Sequence, residues 1–64
     1  MTPHEQQVID KLKQSYDPAW AALLEELVPR YLKLFRQLTQ DDNTAEDFTH
    51  EAIFQTIQAI GKLP

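Results

Sequence analysis

The stretch WAALLEELVPRYLKLFRQL, residues 20–38, decides the fold, because its apolar side chains recur at helical spacing along its whole length. One half of the helix circumference is apolar and is formed by Trp20, Leu23, Leu24, Leu27, Val28, Tyr31, Leu32, Leu34, Phe35 and Leu38. The other half carries Glu25, Glu26, Arg30, Lys33 and Arg36. An apolar face this wide predicts the central packing helix of an all-α protein, with its aromatic residues in the core.

Two prolines shape this helix. Asp17-Pro18 is typical of a helix start, since proline suits the first helical position, where its missing N–H is not needed. Pro29 lies inside the helix and removes one backbone donor, yet the apolar phase continues on both sides of it. We therefore predict a kinked but continuous helix over residues 18–38.

A shorter helix precedes the central one. Thr2-Pro3-His4-Glu5 has the form of a capping box with proline at the first helical position. After it, only a narrow apolar stripe follows, formed by Val8, Ile9, Leu12 and Tyr16. The pattern predicts a short peripheral helix over residues 3–15.

A third helix is predicted over residues 45–60. It has two possible N-caps, Asn43 with Glu46 at N3 or Thr44 with Asp47 at N3. Gly61, the only glycine of the chain, is expected to adopt the left-handed conformation that closes a helix, with Lys62 and Pro64 supporting the end. The polar connection 39–43 is short, which implies an antiparallel hairpin with the first helix folded against it.

The third helix has two different faces. Its core side is expected to comprise Ala45, Phe48, Ala52, Ile53, Thr56, Ile57, Ala59 and Ile60. Asp47, Glu51 and Gln58 lie on the opposite side with Phe54 among them and His50 at the flank. Phe54 has two interpretations: an anchor ringed by charges, as in protein-binding hot spots, or a ring that packs against the first helix or is singly exposed.

Composition limits the class of protein. The 64 residues allow a single helical domain, 1–64, and there is no cysteine to staple it. Five of the ten acidic residues lie between positions 41 and 51, and no Lys or Arg lies between positions 37 and 61, so little direct nucleic-acid binding is expected. The chain lacks a signal peptide and a long apolar run, which favours a soluble cytoplasmic protein.

The residues for catalysis are missing. His50 has Glu46 and Asp47 within one helical turn, but a metal site needs three or four ligands and the only other histidine is His4. One glycine cannot form a phosphate-binding loop, and no nucleophile motif surrounds the single serine, Ser15. We therefore expect no enzymatic activity, no cofactor and no metal.

Three segments in register carry a resemblance to a known family. DPAW at 17–20, VPRYLKLFRQLT at 28–39 and AEDFTHEAI at 45–53 resemble the start of region 2 of the sigma-70 family, of the extracytoplasmic-function type. The resemblance covers nearly the whole chain. It implies a truncated region-2-like fold whose third helix docks on the clamp helices of the RNA polymerase beta-prime subunit.

By this resemblance Asp47 and Glu51 match acidic positions of the family that face arginines of the clamp helices. His50 replaces the usual glutamine, Thr49 an aliphatic residue, and Phe54 a common leucine. The predicted partner-binding residues are Asp47, His50, Glu51, Phe54 and Gln58. An anti-sigma factor is the alternative partner, since the surface by which such factors bind region 2 overlaps the surface that binds polymerase.

The sequence stops at Pro64, before the segments with which sigma factors melt and read promoter DNA. Three interpretations stay open: a fragment of a sigma factor, a stand-alone sigma-like protein that engages polymerase, or a sigma-binding regulator. Two wide apolar helix faces with only a short helix as cover should leave apolar surface exposed. We expect this surface to support a homodimer, and a self-associating helical bundle is the alternative function.

Overall fold

The computed structural model describes residues 3–62, which form three α-helices and no strand within that range. Helix α1 spans Pro3–Ser15, a 3₁₀ turn spans Pro18–Trp20, α2 spans Ala21–Thr39 and α3 spans Asp42–Gly61. The predicted all-α class is confirmed. Thr2 and Pro64, expected to cap and to terminate helices, lie outside the described residues.

Helices α2 and α3 form the antiparallel hairpin. Arg36 near the end of α2 pairs with Asp42 at the start of α3, while Tyr31 reaches Thr56 further along α3, with Oη 3.4 Å from Oγ1. The Thr56 hydroxyl donates to the carbonyl of Ala52, so Tyr31 is the donor to Thr56. Helix α1 lies against this hairpin.

The central helix begins three residues later than predicted. Residues 18–20 form a 3₁₀ turn whose first backbone N–H groups are capped by Asp17, which accepts a hydrogen bond of 2.9 Å from the N–H of Ala19. Helix α2 then runs from Ala21 through Pro29 to Thr39 without interruption. The continuity across Pro29 that the apolar phase predicted is confirmed.

The predicted N-cap of α3 is wrong. Asp41 is the N-cap, and its carboxylate accepts hydrogen bonds from the N–H of Asn43 at 3.2 Å and from the hydroxyl of Thr44 at 2.7 Å. Asn43 and Thr44 are thus partners of the cap and already helical. The Thr44 hydroxyl and the Asn43 N–H hold the pKa of the Asp41 carboxyl below its ordinary value.

The expected left-handed closure at Gly61 is also wrong. No described glycine has a positive φ, and α3 ends on Lys62 in the right-handed region, with φ of −89°. The left-handed residue is Gln40, with φ of 56°, and its N–H donates to the carbonyl of Arg36 at 2.8 Å. The chain needs this conformation there because α2 must end and α3 begin within two residues.

The core joins all three helices. Its buried side chains are Val8, Ile9 and Leu12 of α1, Leu24, Val28 and Leu32 of α2, and Ala45, Thr49 and Ile53 of α3. Trp20 and Tyr31, predicted as core residues, pack partly buried at its edge. Lys13 pairs with Glu25 and adds a polar contact between α1 and α2.

The buried face of α3 is rotated from the predicted one. Thr49 is fully buried, whereas Phe48 and Ile60, both predicted in the core, are 47% and 41% exposed. The Thr49 hydroxyl donates to the carbonyl of Ala45 at 2.8 Å, so the burial of Thr49 leaves no donor unpaired.

Candidate protein-docking site on the helical hairpin

The outer side of α3 presents four of the five predicted partner-binding residues. Asp47, Glu51, Phe54 and Gln58 are all exposed, and Phe54 is 45% exposed. At about 100° per residue they fall within about 60° of the helix circumference. We call these four residues the acidic stripe.

The negative charges of the acidic stripe have no cationic side chain close to them within residues 3–62. Glu51 accepts a hydrogen bond of 3.0 Å from the side-chain amide of Gln55, four residues later. Within residues 3–62, no ion pair of 4.0 Å or less involves Asp47 or Glu51, and α3 itself contains no Lys or Arg. Both charges are therefore available to a cationic partner.

His50, the fifth predicted residue, lies apart from the acidic stripe. Its side chain is 30% exposed, and its Nε2 is buried 3.7 Å from Oε1 of Glu46, too far for a hydrogen bond. The ring therefore faces a neighbouring polar cluster, and the structure groups four of the five residues on one surface.

That polar cluster connects the three helices. The Arg36 guanidinium of α2 donates to Nδ1 of His4 in α1 at 2.8 Å, and Nε2 of His4 lies 3.2 Å from Oε2 of Glu46 in α3. Since Arg36 can only donate, His4 carries its proton on Nε2 and donates to Glu46. Nε of Arg36 also lies 3.1 Å from Asp42, an ion pair whose angle falls outside hydrogen-bond geometry. The cluster anchors α1 across one end of the hairpin.

This cluster could not be predicted from the sequence, because its contacts join residues 32 and 42 positions apart. Only the three-dimensional approach of the helices brings the partners together.

An open apolar groove of about 310 Å³ runs between α2 and α3. Its lining is Phe35, Phe48, Glu51, Ala52 and Gln55, and we call this set the apolar groove. The rings of Phe35 and Phe48 meet edge to face with centroids 5.6 Å apart. No residue of α1 lines it, since α1 meets the hairpin on another flank, at Glu25, Arg36 and Glu46.

Two leucines of α2 enlarge this apolar surface. Leu34 and Leu38 are 47% and 70% exposed, and they lie on the flank of α2 next to Phe35 and Tyr31. The expectation that the hairpin leaves apolar surface uncovered is confirmed. Phe48 belongs to this surface, which explains why a large ring predicted for the core is half exposed.

A larger basic groove lies between α1 and α2. It measures about 550 Å³ and is lined by Glu5, Pro29, Arg30, Lys33, Arg36 and Gln37. Carboxylates offset two of its cations, since Arg36 pairs with Asp42 and Arg30 lies 3.4 Å from Glu26. It offers no aromatic ring on which a base could stack. We therefore place the candidate site on α3.

Within residues 3–62, no three His, Cys, Asp or Glu side chains are grouped to hold a metal ion, and no helix is both long and apolar enough to cross a membrane.

The chain has no significant match to a family model, a curated protein or a solved structure. The resemblance to sigma region 2 stays a prediction.

Proposed function

We propose that this chain is a non-enzymatic docking module of the bacterial transcription machinery, which binds the clamp helices of the RNA polymerase beta-prime subunit through the acidic stripe of α3. The observation that supports this most is Phe54, a large ring exposed beside Asp47 and Glu51, two carboxylates that have no cationic partner within residues 3–62. A role in this machinery would place the protein in the cytoplasm.

The chemistry of the stripe favours an arginine-bearing helical partner. Exposed Asp47 and Glu51 would attract and orient a basic surface, which affects mainly association rate and register. Phe54 would contribute the buried area, as aromatic anchors at the centre of interfaces do. Arginine suits such a site because its guanidinium can pair with a carboxylate and stack on a ring.

The rest of α3 makes the stripe a rigid platform. The Asp41 cap defines where the helix starts, and the buried side chains of Ala45, Thr49 and Ile53 hold its opposite face against the core. A partner would therefore meet four side chains that are already arranged, with little ordering of backbone on binding.

The test is binding of the purified chain to a recombinant clamp-helix segment of a bacterial beta-prime subunit, measured by titration calorimetry. Saturable binding is expected, weakened about tenfold or more by Phe54→Ala and by Glu51→Lys, while circular dichroism shows unchanged helicity. Asp10→Lys is the matched control, because Asp10 is an exposed helical carboxylate that accepts from Gln6 four positions away, as Glu51 does from Gln55.

Two outcomes would reject the proposal. One is the absence of binding by a folded chain. The other is an equal loss in Asp10→Lys, which would reduce the effect to net charge. An anti-sigma factor is the alternative partner, and competition between it and the clamp-helix segment for the chain would show that both use this surface.

A further inference from the structure

We propose that the apolar groove and the leucines beside it form a homodimer interface, in which α2 of each copy lies across α3 of the other. This inference does not rest on polymerase docking. It starts from Phe48, Leu34 and Leu38, which are 47%, 47% and 70% exposed on one continuous side of the hairpin.

The size of this side suits a second copy of so small a chain. A hairpin of 19- and 20-residue helices is about 28 Å long, and two helices side by side are about 20 Å wide. Such a face offers roughly 500 to 600 Å², somewhat less than the roughly 800 Å² per partner of a standard specific interface. A weak dimer, formed at micromolar concentrations or above, is the consequence.

Charge selects the arrangement of the two copies. A two-fold axis in the plane of the face can stack each helix on its own copy or α2 on α3 of the partner. The first choice brings together two copies of α3, which has four acids (Asp42, Glu46, Asp47, Glu51) and no Lys or Arg. The second sets α3 under α2, in which Arg30, Lys33 and Arg36 outnumber Glu25 and Glu26, although these cations line the groove toward α1 and not the open side. Repulsion between like charges disfavours the first arrangement, and the second avoids this repulsion.

The axis also predicts which residues meet. When it runs along the helices, every residue of one copy faces a residue at its own level in the other copy. Tyr31 is level with Thr56 and Phe35 touches Phe48, so Leu34 is level with about Ala52. Leu34 of one copy should therefore approach Ala52 of the other.

Dimerisation should leave most of the acidic stripe accessible. Phe54 lies about 120° around α3 from Phe48, and it does not line the apolar groove. Glu51 is the one residue that belongs to both surfaces. Homodimer formation and partner binding should therefore respond to different substitutions, so that either proposal can be rejected without rejecting the other.

The first test is sedimentation equilibrium of the full chain from about 10 µM to about 1 mM, the range expected for an interface below standard size. A monomer–dimer equilibrium is expected, with at least a tenfold weaker association in Leu38→Glu. Phe54→Glu is the matched control, because it places the same charge at an exposed apolar residue outside the proposed interface. A monomer throughout the range, or equal weakening in both variants, would overturn the proposal.

The arrangement is tested by cross-linking, since the natural chain has no cysteine. A mixture of Leu34→Cys and Ala52→Cys chains should form a disulfide-linked heterodimer on mild oxidation, while neither variant alone cross-links to a comparable extent. A cross-link in Leu34→Cys alone, or none in a mixture that sedimentation shows to be dimeric, would overturn the α2-on-α3 arrangement.

Discussion

The two sides of the α2–α3 hairpin are built from similar residues, but one side is buried and the other is exposed. On one side α1 adds Val8, Ile9 and Leu12, and the side chains beneath it are fully buried. On the other side Phe48 and Leu38 remain exposed. Since both sides are apolar, the amount of stabilisation depends on whether a third helix covers them, not on hydrophobicity alone.

This contrast implies that stability and interaction are divided between the two sides. Burial beneath α1 stabilises the fold, whereas the open side and the outer stripe of α3 are available to other molecules. Substitutions on the covered side should change the free energy of unfolding, and those on the open side should change association.

The largest expected effect is a loss of stability when a buried residue on the side covered by α1 is truncated. Leu32→Ala should lower the free energy of unfolding by about 2 to 5 kcal/mol, because Leu32 is fully buried and the cavity can close only partly. Leu38→Ala, the same change at a 70% exposed residue, should stay within about 0.5 kcal/mol. Urea denaturation of the two variants at low protein concentration measures both. Similar losses would mean that the two sides are not different in the monomer.

A smaller effect concerns the turn on which both sides depend. Gln40→Gly should raise the free energy of unfolding by up to about 1 kcal/mol, because glycine removes the strain of a left-handed residue. The higher entropy that glycine gives the unfolded chain offsets part of this stabilisation. Gly61→Ala is the comparison, because Gly61 has no positive φ and nothing within 4 Å of an added Cβ. It should be neutral or slightly stabilising, and destabilisation there would contradict the observed end of α3. Thermal unfolding followed by circular dichroism measures both changes.

The smallest effect is conditional on pH. The pKa of Asp41 is lowered from 3.8 in the folded state, so the ionised cap stabilises folding above that value, and this contribution is lost as the pH falls through the lower folded pKa. The stability difference between the natural chain and Asp41→Ala should therefore be constant near neutrality and shrink below about pH 4. Urea titrations from pH 7 to pH 3 give this difference. A stability difference that grows as the pH falls would contradict the role of the ionised Asp41 as the N-cap of α3.

The candidate site could be predicted in part from the sequence. The spacing of Asp47, Glu51, Phe54 and Gln58 predicted a shared face, and the structure places them on one exposed stripe. Periodicity placed His50 at the flank of this face but could not show that its ring turns toward Glu46. The apolar groove was not predicted as such, since Phe48 counted as a core residue of an isolated helix.

The errors at the helix ends have a different origin. Asn43, Thr44 and Gly61 have the residue types that commonly cap helices. Asp41 and Gln40 take these roles instead because the reversal between α2 and α3 occurs two residues after Thr39. Capping chemistry selects among candidate residues, but the geometry of the connection decides which candidate is used.

By itself the sequence determined the all-α class, the continuous α2 and the antiparallel hairpin, because local periodicity and a short connection leave few alternatives. Only the tertiary structure decided the rotation of α3, the burial of Thr49, the His4–Arg36–Glu46 cluster and the open side of the hairpin. These features depend on where α1 and α2 lie around α3, and contacts between residues distant in the chain leave no periodic signal in any one segment.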